Sequence, residues 1–376
     1  MMTNPEQQIV ASSHLGNIAS PDVPSLRILH LGDDTPGWTS RHRADALARM
    51  GHMVFCVNAG KGIPKWPLAG TLGVRTGYRL WLPWINRHVL KEVATFDYDT
   101  IWVEGGPEIS PGLLKTLKKR GQKVINYIND DPTGHRDGRK WDQYRKCIPE
   151  YDLVAVMREQ NIREHYRLGA RRVVRTYMSC DPIAHSPITM SEEESGKWAS
   201  DVLFVGTYFP ERGPFLLRLK ELGVPLSIRG NLWERAPEWP HLRPLWKGPG
   251  IMGDDYVRAI QSSKVALGLL SKGNRDLHTR RSLEIPFIGG AAFCAERTTE
   301  HSLLYRDGEE AAFWSTPEEC AERCHALLSD EPGRLRMVAA ARRRVQEWRL
   351  TNDEIIAAIL RVLYDQPSNH PLVKES

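Results

Sequence analysis

The stretch NRDLHTRRSLEIPFIGGAAFC, residues 274–294, decides how the rest of the chain is interpreted. It carries Asp276 and Glu284 with seven residues between them, and His278 and the adjacent pair Arg280 and Arg281 lie in the same stretch. Carboxylates accept hydrogen bonds from sugar and ribose hydroxyls, whereas arginines and the N–H groups at a helix start bind a diphosphate. This combination is typical of a site that holds a nucleotide sugar.

Length and composition limit what surrounds this stretch. A chain of 376 residues with 41% apolar residues predicts two globular domains. The net charge of +5 does not indicate nucleic-acid binding, and no apolar run approaches the ~20 residues that span a bilayer. Residues 1–24 are polar and lack the apolar core of a signal peptide, so they predict a disordered tail and a cytoplasmic protein.

The six cysteines do not form a recognisable metal motif. Cys320 and Cys324 lie one helical turn apart, but the sequence has no CxxC pair and no Cys/His spacing of a zinc site. We therefore expect reduced, buried thiols and no metal.

The first half alternates strands, glycine turns and helices. Residues 25–31 predict a buried strand that ends at Gly32, residues 41–50 a helix closed by Gly51, and residues 53–57 a parallel strand. The Gly32 loop lacks GxGxxG, so a nicotinamide cofactor is not supported. Residues 61–88, rich in proline, glycine and tryptophan, predict an irregular connection. The pattern as a whole predicts a doubly wound α/β domain over residues 25–190.

The second half repeats this pattern after a polar, acidic linker at residues 186–200. A strand ending at Gly206, a helix over residues 214–222 and a strand ending near Arg229 predict a second doubly wound domain over residues 196–348. Gly206 lets backbone N–H groups approach a phosphate, and Arg212 complements its charge. A last helix over residues 351–365 is expected to return to the first domain. The predicted fold class is α/β with GT-B architecture: two Rossmann-like domains facing a cleft.

Candidates for a general base come from polar side chains at the predicted strand ends of the first domain. Asp130 and Asp131, which follow the strand at residues 123–128, are the first choices. The alternative for each is a turn former, since aspartate favours such positions anyway.

The second half resembles a family, the GT-B glycosyltransferases of glycosyl transferases group 1. Within it, the chain is similar to the subset related to the spore maturation protein CgeB. The resemblance covers about residues 201–363. It is carried by Val202–Gly206 with Arg212, by Asp276–Glu284, by Gly289–Gly290, by Leu304–Glu310 and by Pro317–Glu319.

This resemblance implies a UDP-, GDP- or dTDP-sugar donor on the second domain and an acceptor on the first, with no cofactor. Glu284 would accept hydrogen bonds from the ribose hydroxyls, and Asp276, where the wider superfamily has glutamate, would lie near the transferred sugar. The remaining donor contacts implied are Gly206, Arg212, Arg229, His278, Thr279, Arg280 and Arg281.

The resulting hypothesis is a glycosyltransferase that neutralises the leaving nucleoside diphosphate with arginines and N–H groups and needs no metal. The resemblance suggests retention of anomeric configuration. Two alternatives stay open: a sugar-nucleotide epimerase or hydrolase of the same fold, and a non-catalytic nucleotide-sugar-binding subunit. The presence of Asp276, Arg281 and Glu284 together argues against the second. A glycan, a lipid-linked sugar, a protein and a modified nucleobase all remain open as acceptors, and the oligomeric state is also open.

Overall fold

The computed structural model describes residues 9–10 and 23–376, which divide into two α/β units. The first comprises Met1–Tyr177, Gly273–Arg275 and Asn352–Ser376, and the second Met178–Lys272 and Asp276–Thr351. The sequence predicts a first domain that ends at residue 190, whereas residues 178–190 lie in the second unit. The reason is local: the N–H of Met178 donates to His278 of that unit at 2.9 Å.

The predicted disordered tail is described only in part. Ile9–Val10 forms a short edge strand that pairs antiparallel with Val54 and Phe55, so these two residues are not disordered as predicted. Residues 1–8 and 11–22 lie outside the described residues.

The first unit is a sheet with helices between its strands. Its strands before the second unit are β1 (Ile9–Val10), β2 (Arg27–Leu31), β3 (Met53–Val57), β4 (Thr100–Glu104), β5 (Lys123–Ile128), β6 (Leu153–Val156) and β7 (Val173–Arg175). Its helices there are α1 (Thr39–Arg49), α2 (Ala69–Thr76), α3 (Leu82–Glu92), α4 (Pro111–Leu117), α5 (Asp142–Cys147) and α6 (Glu159–Arg167). Strands β2 to β7 pair in parallel. Their buried apolar runs are typical of a sheet covered on both faces.

Residues 61–88 are helical over much of their length, and the predicted irregular connection is wrong there. Helix α3 accommodates Pro83 in its first turn, where the missing N–H costs no hydrogen bond. Ile85 and Val89, one turn apart, bury the inner face of α3. Helix α2 ends at Gly77, whose φ of 58° only glycine adopts readily.

The second unit contains one parallel sheet, and the order of its strands places the candidate site. Its strands are β8 (Ser200–Val205), β9 (Leu226–Arg229), β10 (Trp246–Gly248), β11 (Ser263–Gly268), β12 (Ala292–Glu296) and β13 (Ala312–Trp314), in the sheet order β10-β9-β8-β11-β12-β13. The strand order reverses between β8 and β11. Open α/β sheets bind ligands outside the carboxyl ends of the strands at such a switch point.

Eight helices flank this sheet. They are α7 (Glu192–Trp198), α8 (Arg212–Glu221), α9 (Trp239–Leu242), α10 (Asp254–Gln261), α11 (Arg281–Ile288), α12 (Thr299–Leu304), α13 (Pro317–Ser329) and α14 (Glu331–Glu347). Helix α7 lies inside the predicted linker. It forms because Ser191 accepts from the N–H of Glu194 while the Glu194 side chain accepts from the N–H of Ser191, a complete capping box.

The chain then returns to the first unit, as predicted for its last helix. Helix α15 (Asn352–Leu363) packs on α1, where Arg49 donates to Asp353 at 2.7 Å. Strand β14 (Lys374–Glu375) pairs antiparallel with β7 and completes the sheet order β1-β3-β2-β4-β5-β6-β7-β14. The predicted class, two doubly wound α/β domains with a returning C-terminal helix, is confirmed.

None of the helices in the part of the chain that the structure describes is long and apolar enough to cross a membrane.

Candidate functional site

Residues from three parts of the second unit meet at the switch point between β8 and β11. Arg281, the first residue of α11, donates through Nε to the carbonyl of Val205, the last residue of β8, at 3.3 Å. Arg212 donates to the carbonyls of Leu269 and Leu270, just beyond β11, at 3.3 Å each. The fold thus brings the turn after Gly206 to the start of α11.

The backbone of Gly206 packs closely against that of Gly230. Its N–H donates to the carbonyl of Arg229 at 2.9 Å, and its own carbonyl accepts from the Trp233 indole at 3.0 Å. A Cβ on the facing Gly230 would lie 1.9 Å from the Gly206 carbonyl oxygen. Only glycine at position 230 allows this approach, which draws the ends of β8 and β9 together.

Glu284 is the electrostatic centre of the arrangement. It lies in the first turn of α11, is 2% exposed, and contacts Arg281 at 3.1 Å and Arg280 at 3.7 Å. Burial alone would raise the pKa of Glu284, but the charges of Arg280, His185 and Arg281 outweigh burial and lower the pKa to about 2. The carboxylate is therefore ionised at neutral pH and available only as a hydrogen-bond acceptor.

Arg281 is held by packing as well as by charge. Its guanidinium stacks over the Tyr256 ring of α10, 4.9 Å from the ring centroid, and the side chain is about a quarter exposed. Arg280 directly precedes α11 and is more exposed than Arg281. Both positive charges therefore lie at a helix N-terminus, where the helix dipole also favours an anion.

His185 and Tyr256 belong to the same cluster and were not predicted. His185 Nε2 lies 3.7 Å from Glu284, and its Nδ1 accepts from the N–H of Asp181 at 2.8 Å. Tyr256 is buried, and burial raises the pKa of its hydroxyl. No local pattern marks either residue. The predicted domain boundary at residue 190 also assigned His185 to the wrong domain.

His278 and Thr279 both form hydrogen bonds within the protein. Both ring nitrogens of His278 are used: Nε2 accepts from the Met178 N–H at 2.9 Å and Nδ1 faces Glu300. This network places the proton on Nδ1 and leaves Nε2 unable to donate to a phosphate. The N–H of Thr279 donates to Ser282 Oγ at 3.0 Å at the start of α11. These contacts do not support the expected diphosphate contact of His278.

Arg212 acts mainly as a buried brace. Besides the two carbonyls beyond β11, it donates to the Thr207 carbonyl at 2.8 Å and stacks on Phe209, 4.5 Å from the ring centroid. Its positive charge stays at the switch point, although its hydrogen bonds serve the protein. Arg229 stacks over Trp198 at 4.7 Å, and burial lowers its pKa. Asp276 is buried, and its N–H donates to the Ser271 carbonyl at 3.4 Å.

The two candidate bases of the first unit differ in their surroundings. Asp131 is buried and accepts from Arg275 and from Asn161. Burial alone would raise its pKa, but Arg275 and Asn161 outweigh it and lower the pKa to about 2. A carboxylate so stabilised in its charged form is a poor proton acceptor, which disfavours Asp131 as the base. Asp130 is 40% exposed and lies 3.6 Å from Lys140.

The fold brings Cys294 to Cys320 and Cys324, which lie one helical turn apart in the sequence. The Sγ atoms of Cys294, Cys320 and Cys324 lie within 4.8 Å of one another in the core of the second unit. Hydrogen bonding to the other two thiols, together with burial, raises the pKa of Cys294 well above its ordinary value. Three thiolates are a donor set for a soft metal ion. All three cysteines are free and buried, as predicted.

A large open cavity of the second unit lies away from the Glu284 cluster. It has a volume of about 850 Å³ between α13 and α14, and its walls carry Arg306, Arg323 and Arg343 but none of the residues around Glu284. The cavity is therefore not part of the candidate site at the β8/β11 switch point.

The fold is shared with solved glycosyltransferases of the GT-B type. Sucrose-phosphate synthase from Thermosynechococcus elongatus is 14% identical, with a TM-score of 0.62 over 90% of this chain and 98% of that one. HepE from Anabaena, solved with UDP-glucose, is 13% identical, with a TM-score of 0.61 over 90% and 100%. A UDP-forming α,α-trehalose-phosphate synthase from Burkholderia vietnamiensis is 9% identical, with a TM-score of 0.58 over 90% and 100%. At these identities the similarity establishes the fold alone.

Sequence comparison adds a family match to the second half. Residues 212–361, which include Arg212, Asp276 and Glu284, match the family described as glycosyl transferase-like. An 84-residue stretch is 34% identical to the tRNA 5-methylaminomethyl-2-thiouridine biosynthesis bifunctional protein MnmC of Vibrio campbellii. It covers 21% of this chain and only 12% of that protein, so it carries no argument about activity.

Proposed function

We propose that the protein is a glycosyltransferase whose second unit binds a nucleotide-sugar donor at the start of α11. The observation that carries the proposal is the ionised Glu284 between Arg280 and Arg281 at the β8/β11 switch point. Both the fold and the family match over residues 212–361 support a transferase. HepE, which shares the fold, has been solved with UDP and with UDP-glucose.

In this proposal Glu284 accepts hydrogen bonds from the ribose hydroxyls of the donor. Arg280, Arg281 and the N–H groups of the helix start neutralise the diphosphate, and Arg212 adds a fixed positive charge behind the Gly206 turn. Asp276 is assigned to the transferred sugar. Positive charge placed where the leaving nucleoside diphosphate becomes more negative lowers the barrier to glycosyl transfer. The arginines supply this charge without a metal.

The finer assignments are part of the same proposal. We assign the chain to the CgeB-like subset on its Asp-x-His-Thr-x-Arg-x-x-Glu run, and we expect retention of configuration. Asp130 is preferred to Asp131 as a proton acceptor of the first unit because Arg275 does not occupy it. The acceptor stays open among the glycan, lipid-linked, protein and nucleobase classes.

The test is donor binding and turnover by a Glu284→Gln variant. We expect calorimetry to show that the wild-type protein binds UDP or another nucleoside diphosphate. Glu284→Gln should weaken this binding at least about tenfold, because one hydrogen bond to a charged group contributes about that much to affinity. A panel of nucleotide sugars then identifies the donor through release of nucleoside diphosphate.

A matched control separates a binding role from a structural one. Glu310 is a buried carboxylate of the same unit that also pairs with two arginines, Arg306 at 2.8 Å and Arg344 at 3.4 Å. Glu310→Gln should lower the melting temperature as Glu284→Gln does, but leave donor affinity unchanged. Equal loss of affinity in both variants, or no nucleotide binding by the wild-type protein, would refute the proposal. A changed sugar that is still attached to its nucleotide would instead identify an epimerase.

A further inference from the structure

The first unit exposes a cluster of large apolar side chains on and around α2 and α3. Trp66 is 47% exposed, Leu68 74%, Leu80 48% and Trp84 51%, and all four lie within a segment of 19 residues, 66–84. Val74 on α2 and Leu90 on α3 are also exposed, at 36% and 37%. We call the exposed face of residues 65–91 the α2–α3 patch. A monomeric protein rarely leaves so many large apolar groups together in water unless they bind something.

Buried side chains beneath the α2–α3 patch hold its exposed residues in place. The ring of Trp81 lies beneath it and meets Trp66 and Trp84 edge to face, with centroid distances of 5.5 and 5.9 Å. The indole N–H of Trp81 donates to the carbonyl of Ala69 at 3.0 Å. Ile85 and Val89 anchor α3 in the core, so the helix must present Trp84 outward. The two exposed indoles are therefore fixed in place by packing.

The backbone conformation of Leu68 also indicates that the patch is a binding surface. Its backbone has φ = 69°, in the left-handed region that leucine rarely adopts, and its side chain is the most exposed large apolar group of the patch. Strained positions of this kind persist when the surrounding structure enforces them, and they concentrate at binding sites. The strained backbone of Leu68 does not place its side chain in the core, because that side chain faces water.

The charge around the patch has one sign. Residues 59–95 contain six lysines and arginines and a single acid, Glu92. Glu92 lies 3.9 Å from His88, away from the exposed positions of Arg87 and Lys91. Arg87 and Lys91 share the outer face of α3 with Trp84, so cations flank the apolar centre.

We propose that the α2–α3 patch docks the protein on an anionic lipid bilayer. Indole rings favour the boundary between headgroups and acyl chains, where one edge is apolar and the other is wet. Lysines and arginines beside them bind acidic headgroups while their stems cover apolar surface. The single sign of the charge, six cations against Glu92 alone over residues 59–95, favours an anionic surface. The inference stands independently of the proposed glycosyltransferase activity.

The experiment is vesicle cosedimentation of the full chain with phosphatidylcholine alone and with phosphatidylcholine containing phosphatidylglycerol. We expect binding only to the anionic vesicles, weakened as salt is raised. The double variant Trp66→Ser/Trp84→Ser should bind at least about tenfold more weakly, since interfacial insertion scales with the apolar area buried. Both side chains are about half exposed, so the variant should stay folded, with a melting temperature only slightly lowered by the loss of the two contacts with Trp81.

A charge pair supplies the matched control. Arg87→Glu/Lys91→Glu should abolish vesicle binding, whereas Arg336→Glu/Arg343→Glu, which reverses two exposed arginines on α14 of the second unit, should leave it intact. Three results would overturn the proposal: no binding to anionic vesicles, equal binding by the tryptophan variant, or equal loss in the α14 control. A concentration-dependent dimer in light scattering that Trp66→Ser/Trp84→Ser abolishes, without vesicle binding, would assign the patch to self-association instead.

Discussion

Arg275 and Arg281 stand six residues apart in the chain, and each pairs with a buried carboxylate, yet their bonding differs. Arg275, in the first unit, makes five hydrogen bonds, to Asp131, Glu164 and Thr133. Arg281, in the second unit, donates once to Glu284 and once to a backbone carbonyl. All three nitrogens of the Arg275 guanidinium therefore donate within the protein, whereas Arg281 uses two of its five N–H donors and retains the others for a ligand.

Backbone strain also differs between Arg275 and Arg281. Arg275 has φ = 54°, in the left-handed region, which costs an arginine about 1–2 kcal/mol. Its fork of hydrogen bonds holds the backbone there, and each bond to a charged group contributes about 1.5–3 kcal/mol. Arg281 begins a regular helix and carries no such strain. The number of committed donors, rather than the presence of an ion pair, therefore separates a brace from a binding group.

The largest expected effect on the free energy of unfolding follows from removing the Arg275 side chain. Arg275→Met leaves Asp131 buried without its main partner and Glu164 without its two bonds, so the free energy of unfolding should fall by about 3–5 kcal/mol. Urea denaturation measures it. The double variant Arg275→Met/Asp131→Asn should recover part of the loss, because the uncompensated charge is gone. A loss below about 1 kcal/mol for Arg275→Met would remove the distinction between the two arginines.

Acid should weaken both clusters in the same window. The pKa values of Glu284 and Asp131 are lowered from 4.5 and 3.8 to about 2. Each carboxylate therefore stabilises the fold above its unfolded pKa, and this contribution is lost as pH falls towards 2. For Glu284 the loss is on the order of 3–4 kcal/mol, at about 1.4 kcal/mol per pKa unit.

Urea midpoints measured at several pH values from neutral down towards pH 2 report this loss. Glu284→Gln removes the titrating group, so its stability should fall less steeply with acidification than that of the wild-type protein. An unchanged slope would mean that Glu284 is not held as an anion by its arginines.

Removal of Arg281 should affect stability less and ligand binding more. Arg281→Met leaves Glu284 with Arg280 and His185, so we expect a loss of only about 1–2 kcal/mol in unfolding free energy. Nucleoside diphosphate affinity should fall about tenfold or more, as for a lost arginine–phosphate contact. Arg281→Lys should restore part of the affinity, since it keeps the charge but not the planar fork. A stability loss as large as that of Arg275→Met, with normal nucleotide binding, would make Arg281 a second brace.

The sequence predicts one of these clusters and misses the other for physical reasons. Arg281 and Glu284 lie three residues apart within the stretch 274–294, so the local sequence places them together. Asp131 and Arg275 are 144 residues apart, and no periodic pattern reports that the fold joins them. His185 is missed for the same reason, as is the meeting of Cys294 with Cys320 and Cys324. Strand and helix order, by contrast, follows from short apolar runs and glycine turns, which explains why the two-unit architecture was predictable.

The smallest expected effect on stability is at Asp130, the neighbour of the buried Asp131. Asp130 is 40% exposed, lies 3.6 Å from Lys140 and accepts from Asn274 at 3.3 Å. Asp130→Asn should therefore change the unfolding free energy by no more than about 0.5 kcal/mol, as at most surface positions. Asp131→Asn, one residue away, should cost several times as much because it weakens the contact with Arg275. If Asp130 is the base, Asp130→Asn should lower kcat by about a hundredfold or more at unchanged donor affinity. Unchanged kcat in an intact Asp130→Asn protein would exclude Asp130 as the base.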